Sequence, residues 1–279
     1  MKTACAMVAA LATLLLAAPA SAQEVPLPLR GAWFSGDCAD PDAMLALTAR
    51  SAALLEAEAP GRLFRFVETR PAGTYTLGIG NGPEAPRLMF RARPEGLETI
   101  EPEAKTRDDR LPGDAPVIAW RRCPTPPASV TALHGEGIAF LAALEQIEAS
   151  CTGGAPGACA EAVLRQGDVS GDGKLSPAEI ARLLRGAAWL AAVQDGGTQE
   201  SVAGSVAAGA LGGILAARLL VESLDYDGDG RLSAAELTQD RAGGFAAAPG
   251  NAAGRPAQLD GLADGVAVLR NLIDGLMDR

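Results

Sequence analysis

The chain has 279 residues, and 34 acidic residues against 24 basic ones give it a net charge of −10. Most of this excess lies in the second half: residues 125–279 carry −9, whereas residues 31–124 carry −2. A protein that binds a phosphate backbone needs the opposite sign on its surface, so we expect no nucleic-acid partner.

The first 22 residues have the pattern of a signal peptide. Lys2 is followed by an apolar run to Ala18, and Ala20-Ser21-Ala22 has the small-x-small arrangement that signal peptidase reads. We therefore expect the mature chain to begin at Gln23 with a net charge of −11, since Lys2 is lost. The pattern predicts export, so the protein would be periplasmic or secreted.

An uncleaved membrane anchor is the alternative reading of this N-terminus. The apolar run is short for a span of about 20 residues, and Pro19 interrupts its end, which favours cleavage. Residues 23–30 would then form an exposed N-terminal segment ahead of the first domain.

Four cysteines remain once Cys5 has left with the signal peptide: Cys38, Cys123, Cys151 and Cys159. An even number in an exported protein indicates disulfides. Proximity and domain layout favour Cys38 with Cys123 and Cys151 with Cys159, and the nested pairing is the alternative. Zinc is disfavoured, because His134 is the sole histidine and the paired short gaps of zinc ribbons are missing.

Residues 31–124 predict a small antiparallel β domain. Short apolar stretches such as 62–67 and 74–79 are separated by turn sequences rich in Pro and Gly. Residues 43–57 are ambiguous, because the acids around Pro41 could start a helix, yet the same residues could form two strands.

With both strands the total approaches eight, enough for a small up-and-down barrel whose first and last strands meet. A Cys38–Cys123 bridge would close that seam. The early Gly31-x-Trp33 and the closing disulfide resemble lipocalin-like barrels and small bacterial protease-inhibitor barrels. We expect Trp33 and Trp120 to be core residues, with a ligand pocket as the alternative.

The proline-rich residues 124–127 mark the domain boundary, and a helical domain, 125–279, follows. An apolar stripe from Ile138 to Ile147 predicts its first helix. The Cys151–Cys159 bridge would staple this helix to the next one.

Two twelve-residue segments, 168–179 and 225–236, repeat one pattern of oxygen-bearing residues. Oxygen ligands at positions one, three, five, seven, nine and twelve suit a hard divalent cation, with position seven using its backbone carbonyl and Gly173 or Gly230 making the turn at position six. The candidate ligands are Asp168, Ser170, Asp172, Lys174, Ser176 and Glu179 in the first segment, and Asp225, Asp227, Asp229, Arg231, Ser233 and Glu236 in the second.

This pattern resembles the calcium loop of the EF-hand family. The resemblance implies two calcium ions, a helix on each side of each loop, and a short antiparallel contact between Leu175 and Leu232 at position eight. Acidic surface turns are the alternative, but the flanking leucines have the spacing of buried helix faces. The second loop has four acids and the first has three, so we expect the second site to be tighter.

The loops begin 57 residues apart, so the connection must hold two long helices broken near residues 195–198. Residues 201–217 are uncharged, with small residues at four-residue spacing that would suit a membrane helix. The run is too short and too weakly apolar to span a bilayer, which favours a buried soluble helix. Residues 257–278 predict an amphipathic C-terminal helix, either completing the core or occupying an apolar groove that a partner can take.

We therefore predict an α+β protein in two domains: an N-terminal small antiparallel β meander or barrel, and a C-terminal all-α paired EF-hand lobe with extra helices. The leading function is calcium binding, as sensor, buffer or calcium-stabilised interaction module, with a protein partner possible. A β-barrel ligand carrier or inhibitor with structural calcium, and a membrane-associated protein, are the alternatives. No catalytic motif occurs, and His134 is expected to be solvated or capping, so an enzyme is not expected.

Overall fold

The computed structural model describes residues 24–82, 85–102, 115–152 and 156–239. The predicted signal peptide and the predicted helix at 257–278 lie outside these residues. Within the described residues, nine strands precede four complete α-helices, which confirms the α+β arrangement. The strands are β1 Gly31–Gly36, β2 Pro41–Leu47, β3 Ser51–Glu56, β4 Arg62–Arg65, β5 Glu68–Ala72, β6 Tyr75–Ile79, β7 Arg87–Arg93, β8 Gly96–Ile100 and β9 Val117–Trp120. The helices are α1 Ala128–Cys151, α2 Pro156–Gly167, α3 Pro177–Gln194 and α4 Gln199–Leu224.

The strands form an antiparallel meander in two sheets, β1-β2-β3-β4 and β5-β6-β7-β8-β9. Phe34 and Arg121 exchange two backbone hydrogen bonds of 2.9 Å, which brings the first strand beside the last. The Cys38–Cys123 disulfide, with a Cα–Cα distance of 5.6 Å, lies next to this junction. Cys151 and Cys159 form the second disulfide and join α1 to α2, so both predicted pairings occur.

The ambiguous residues 43–57 form the paired strands β2 and β3. Leu45 and Leu47 point into the interior of the sheets, whereas Met44 and Ala46 face the helices. Because both faces of β2 are buried, its sequence lacks the polar alternation of a half-exposed strand, and this is why it could be read as a helix.

Large side chains fill the space enclosed by the sheets. Trp33 and Trp120 are buried there, as predicted, and each indole N–H donates a hydrogen bond, to the Leu29 carbonyl at 2.7 Å and to Thr99 Oγ1 at 2.8 Å. The expectation of an exposed N-terminal segment is wrong for Val25 and Leu29. Both are buried in this interior, because packing against its apolar residues removes their side chains from water.

Helices α1 and α3 cross at two glycines. A Cβ atom at Gly137 would lie 2.0 Å from the Trp189 ring, and one at Gly186 would lie 2.3 Å from Phe140 Cβ. The close approach buries Trp189, whose indole N–H donates to His134 Nδ1 at 3.0 Å. The expectation of a solvated or capping His134 is therefore wrong, and burial lowers its pKa to about 4.

The outer face of the first sheet packs on the helices. Met44 and Leu55 join a buried cluster with Leu141 of α1 and Leu190 and Val193 of α3. The turn before α4 adds a backbone contact, because the N–H of Gly61 donates to the Gly197 carbonyl at 2.9 Å. Helices α1 and α3 and the β domain thus share one apolar interface.

Helix α4 is buried on one side only. Val202, Ala217 and Val221 are buried, whereas Leu211 and Leu215 are 80% and 62% exposed. The expectation of a buried soluble helix over residues 201–217 is therefore wrong for half of its surface. By length and composition α4 could also cross a membrane, although one such helix is weak evidence for a span.

A buried carboxylate fixes the β2–β3 turn to α1. Glu145 is 2% exposed, and its Oε1 atom lies 2.5 Å from Thr48 Oγ1 and 2.6 Å from Ser51 Oγ. The backbone N–H of Arg50 donates to both carboxylate oxygens at 3.2 Å. Glu145 thereby satisfies the polar groups of a turn that the helix has removed from water.

We predict that Glu145→Ala lowers the free energy of unfolding by about 1.5 to 3 kcal/mol, because buried donors lose a charged acceptor. Denaturant unfolding monitored by circular dichroism measures the change. Glu161→Ala is the control, since Glu161 is exposed and forms a long salt bridge of 3.7 Å with Arg165. Equal effects of the two substitutions would contradict the assigned role of Glu145.

Candidate metal centre

The two acidic loops are joined by one β-bridge. Leu175 and Leu232 exchange backbone hydrogen bonds of 2.8 and 2.9 Å, as the resemblance implied. Their buried side chains pack with Ile180, Ala217 and Val221, which belong to the helices next to the loops. Two segments that are distant in sequence therefore form one paired unit.

Each loop winds around the carboxylate at its first position. Asp225 Oδ1 accepts the N–H of Gly228 at 2.8 Å, and Oδ2 accepts the N–H of Gly230 at 2.7 Å. In the first loop, Asp168 Oδ2 likewise accepts the N–H of Gly173 at 2.7 Å. The φ angles of the two position-six glycines are +80° and +81°, a conformation that a side chain at Cβ would disfavour.

The second loop brings together three carboxylates with the geometry of a cation site. Ligand oxygens of Asp225, Asp227 and Asp229 all lie within 4.8 Å of one another. Two oxygens bound to one Ca²⁺ at about 2.4 Å can be no more than about 4.8 Å apart. The donor set therefore fits calcium in both chemistry and spacing.

The first loop is built from the same turns but has one carboxylate fewer. Ser170 stands where the second loop has Asp227, and its hydroxyl donates to Asp168 Oδ1 at 3.2 Å. Among the described residues, only the second loop forms a group of three acidic side chains this close together. The difference agrees with the lower acid count of the first loop.

The glutamates at position twelve lie against the loop backbone. Glu179 Oε1 accepts the N–H groups of Val169 at 2.8 Å and Ser170 at 2.9 Å, while Oε2 accepts from Ser176. Ser176 is also the N-cap of α3 and forms a capping box with Glu179. Burial raises the pKa of Glu179, but these hydrogen bonds outweigh it and hold the pKa at about 2.

Glu236 closes the second loop in the same way. Its carboxylate accepts the N–H and hydroxyl of Ser233 at 2.8 and 2.7 Å and the N–H of Tyr226 at 3.0 Å. The hydrogen bonds from Ser233 hold its pKa at about 2 as well, against the opposing effect of burial. Ser176 and Ser233, predicted as position-nine ligands, thus serve as caps for the helices that leave the loops.

The position-seven side chains cross from one loop to the other, which the sequence analysis missed. Lys174 Nζ lies 3.0 Å from Asp227 Oδ2 and also pairs with Asp229, and these hydrogen bonds raise the pKa of Lys174. Arg231 pairs in return with Asp172. The predicted contact between Leu175 and Leu232 could have indicated these pairs. It places the preceding residues, Lys174 and Arg231, next to the facing loop.

Comparison with protein families identifies the two segments. Residues 160–184 and 222–239 match the family model described as EF hand. Both segments are EF-hands. The match supports a calcium-binding role and points away from catalysis. No curated protein and no solved structure matches the chain. The resemblance of the β domain to lipocalin-like barrels stays a prediction.

The lowered pKa values of Glu179 and Glu236 predict that acid destabilises the calcium-free protein. An ordinary Glu pKa is 4.5, whereas that of Glu179 and Glu236 in the folded chain is about 2. A lowered pKa means that the stabilisation is complete above about pH 4.5 and is lost as the pH falls towards 2. We expect the free energy of unfolding of calcium-depleted protein, measured with urea, to fall through this window.

The Glu179→Gln/Glu236→Gln double variant is the control for this acid window, because an amide does not titrate. Its unfolding free energy should change less between pH 4.5 and 2 than that of the wild type. His134, with a pKa of about 4 against an ordinary 6.5, contributes at higher pH and should be unaffected by the substitutions. Parallel pH profiles of the two proteins below pH 4.5 would contradict the assignment.

Proposed function

We propose that this protein is an exported calcium-binding protein that holds two Ca²⁺ ions, with the second EF-hand the tighter. The observation that carries the proposal is the group of three aspartate carboxylates inside a loop wound around Asp225. The first loop repeats the winding with one acid fewer. Asp168, Ser170, Asp172 and Glu179, with the Lys174 carbonyl, would hold one ion, and their counterparts from Asp225 to Glu236 would hold the other.

In this proposal, calcium acts as a stabiliser of an interaction module. Helix α3 begins at the capping box of Glu179, and its far end carries Trp189 and Val193, which are buried against α1 and the β domain. With 18 residues the helix is about 27 Å long. Ordering of the first loop would therefore fix the N-terminal end of a helix whose other end supports the β domain.

The packing of the β domain favours this reading over a ligand carrier. The interior of the sheets is filled by side chains, including Trp33, Phe64, Phe90 and Trp120. Ligand sites of carrier proteins usually enclose a cavity of about 300 to 1,000 Å³. Export is supported by the signal-peptide pattern and by two cysteine pairs at disulfide distance, since such bonds persist in oxidising compartments.

Calorimetric calcium titration of the mature protein tests the proposal. We expect two sites, with the weaker one lost in Glu179→Gln and the tighter one weakened by about tenfold or more in Glu236→Gln, because each substitution removes one closing carboxylate. Glu161→Gln, an exposed residue of α2, is the matched control and should bind as the wild type does. Isotherms that are unchanged in both loop variants would refute the ligand assignment.

A second candidate function is contact with a membrane surface through α4. The exposed side of this helix carries Leu211, Leu215 and Leu219, which lie four residues apart and so form one stripe. Exposed apolar patches of this kind mark interaction surfaces. The opposite side of α4 packs on α3, so a peripheral contact suits the fold better than a span.

Sedimentation with phosphatidylcholine vesicles tests the membrane candidate. We expect the wild type to pellet with the vesicles and Leu211→Gln/Leu215→Gln to remain in solution, because exposed leucines can be replaced without opening the core. Leu220→Gln, which replaces a 40% exposed leucine on a different side of α4, is the control and should still pellet. Wild-type protein that stays in the supernatant would eliminate this candidate.

A further inference from the structure

The cations at position seven connect each EF-hand to the carboxylates of the other. We propose that Lys174 and Arg231 each regulate the facing calcium site in trans, by competing with calcium for its carboxylates. Lys174 of the first loop pairs with Asp227 and Asp229 of the second, and Arg231 of the second pairs with Asp172 of the first. The inference rests on the proposed calcium binding by both loops.

The β-bridge between Leu175 and Leu232 explains why the side chains of Lys174 and Arg231 contact the facing loop. Side chains alternate between the two faces of a strand, and the bridging Leu175 and Leu232 point into the apolar cluster between the helices. Lys174 and Arg231, one residue earlier, must therefore point to the opposite face. The aspartates of the facing loop lie on that face, within reach of these long side chains.

Position seven allows one residue to serve both loops. Its backbone carbonyl is the group expected to bind calcium in its own loop, so its side chain is free for another role. Replacement of Lys174 or Arg231 by glutamine therefore leaves the proposed ligand set of the loop that carries it intact. An effect on the facing loop would come from the lost cation.

The pairs can give way to calcium because they are partly exposed. The side chains of Asp227 and Asp229 are 56% and 37% exposed, and water weakens ion pairs at such positions. A divalent ion can displace a single ammonium group there, but at some loss of affinity. Without calcium, the same ammonium offsets the repulsion between the two aspartates and holds the loops together.

The arrangement is asymmetric. Lys174 contacts two carboxylates of the second loop, whereas Arg231 contacts one carboxylate of the first. The second loop, with more acids, is therefore the one whose affinity is held down more strongly. Lys174 would therefore reduce the difference in calcium affinity between the two loops that their acid counts alone predict.

Calcium titration followed by NMR separates the two loops. The amide N–H groups of Gly173 and Gly230 donate to Asp168 and Asp225, so each reports on the first carboxylate of its own loop. In Lys174→Gln we expect the dissociation constant of the second loop to fall about fivefold, with a smaller change in the first. In Arg231→Gln we expect the reverse, with the first loop tightened more than the second.

Arg165→Gln is the matched control, since it removes one positive charge from an exposed helical position next to the first loop. It should change both dissociation constants only slightly. The inference is overturned if Lys174→Gln tightens its own loop as much as the facing one, or if it has no more effect on the second loop than Arg165→Gln. Wild-type protein that binds no calcium would instead overturn the proposed function.

A calcium-free measurement tests the same pairs independently. Because Lys174 offsets repulsion in the empty second loop, Lys174→Gln should lower the melting temperature of calcium-depleted protein while it raises calcium affinity. Arg165→Gln should leave that melting temperature nearly unchanged. An unchanged or higher melting temperature in Lys174→Gln would show that the cross-loop pairs do not stabilise the calcium-free state, and the inference would fail.

Discussion

The helical lobe depends on the two backbone hydrogen bonds between Leu175 and Leu232. They join loops whose first residues are 57 positions apart, and they place both leucines in the apolar cluster formed by α3 and α4. A single bridge of this kind is weak by itself, since one hydrogen bond contributes only about 1 kcal/mol net. Its effect comes from burial, because the leucines can enter the cluster only when the loops are in register. The same register determines which carboxylates of the facing loop Lys174 and Arg231 can contact.

Helix α3 connects the paired loops to the β domain. Its first turn is closed by Glu179, which belongs to the first loop, and its last turns are buried against the β domain through Leu190 and Val193. The glycine contacts at Gly137 and Gly186 hold α1 directly against α3, and α1 in turn supplies Glu145 to the β2–β3 turn. A structural change in the first loop therefore acts on α3, which packs closely against both α1 and the β domain.

The local features of this chain could be predicted from its sequence. The features that were not predicted depend on which distant segment packs against a residue. The loops, the Cys151–Cys159 disulfide and the break between α3 and α4 follow from residue chemistry at short separations. The exposed side of α4 could not be predicted, because Leu211 and Leu215 look like core residues until the position of α3 is known. The burial of His134 could not be predicted for the same reason, since only the fold places Trp189 against it.

Counting the charges of one loop leaves out the ion pairs between the loops. Counting acids ranks the second loop as the stronger site, because it has four carboxylates and the first has three. That count treats each loop as isolated, whereas the bridge brings a lysine from the first loop onto two carboxylates of the second. The effective charge that a calcium ion meets in the second loop is then reduced by a residue outside that loop. Under the proposed regulation in trans, the calcium affinity of either loop is a property of the pair, and position seven, where the expected ligand is a backbone atom, is the position at which a side chain can alter this affinity.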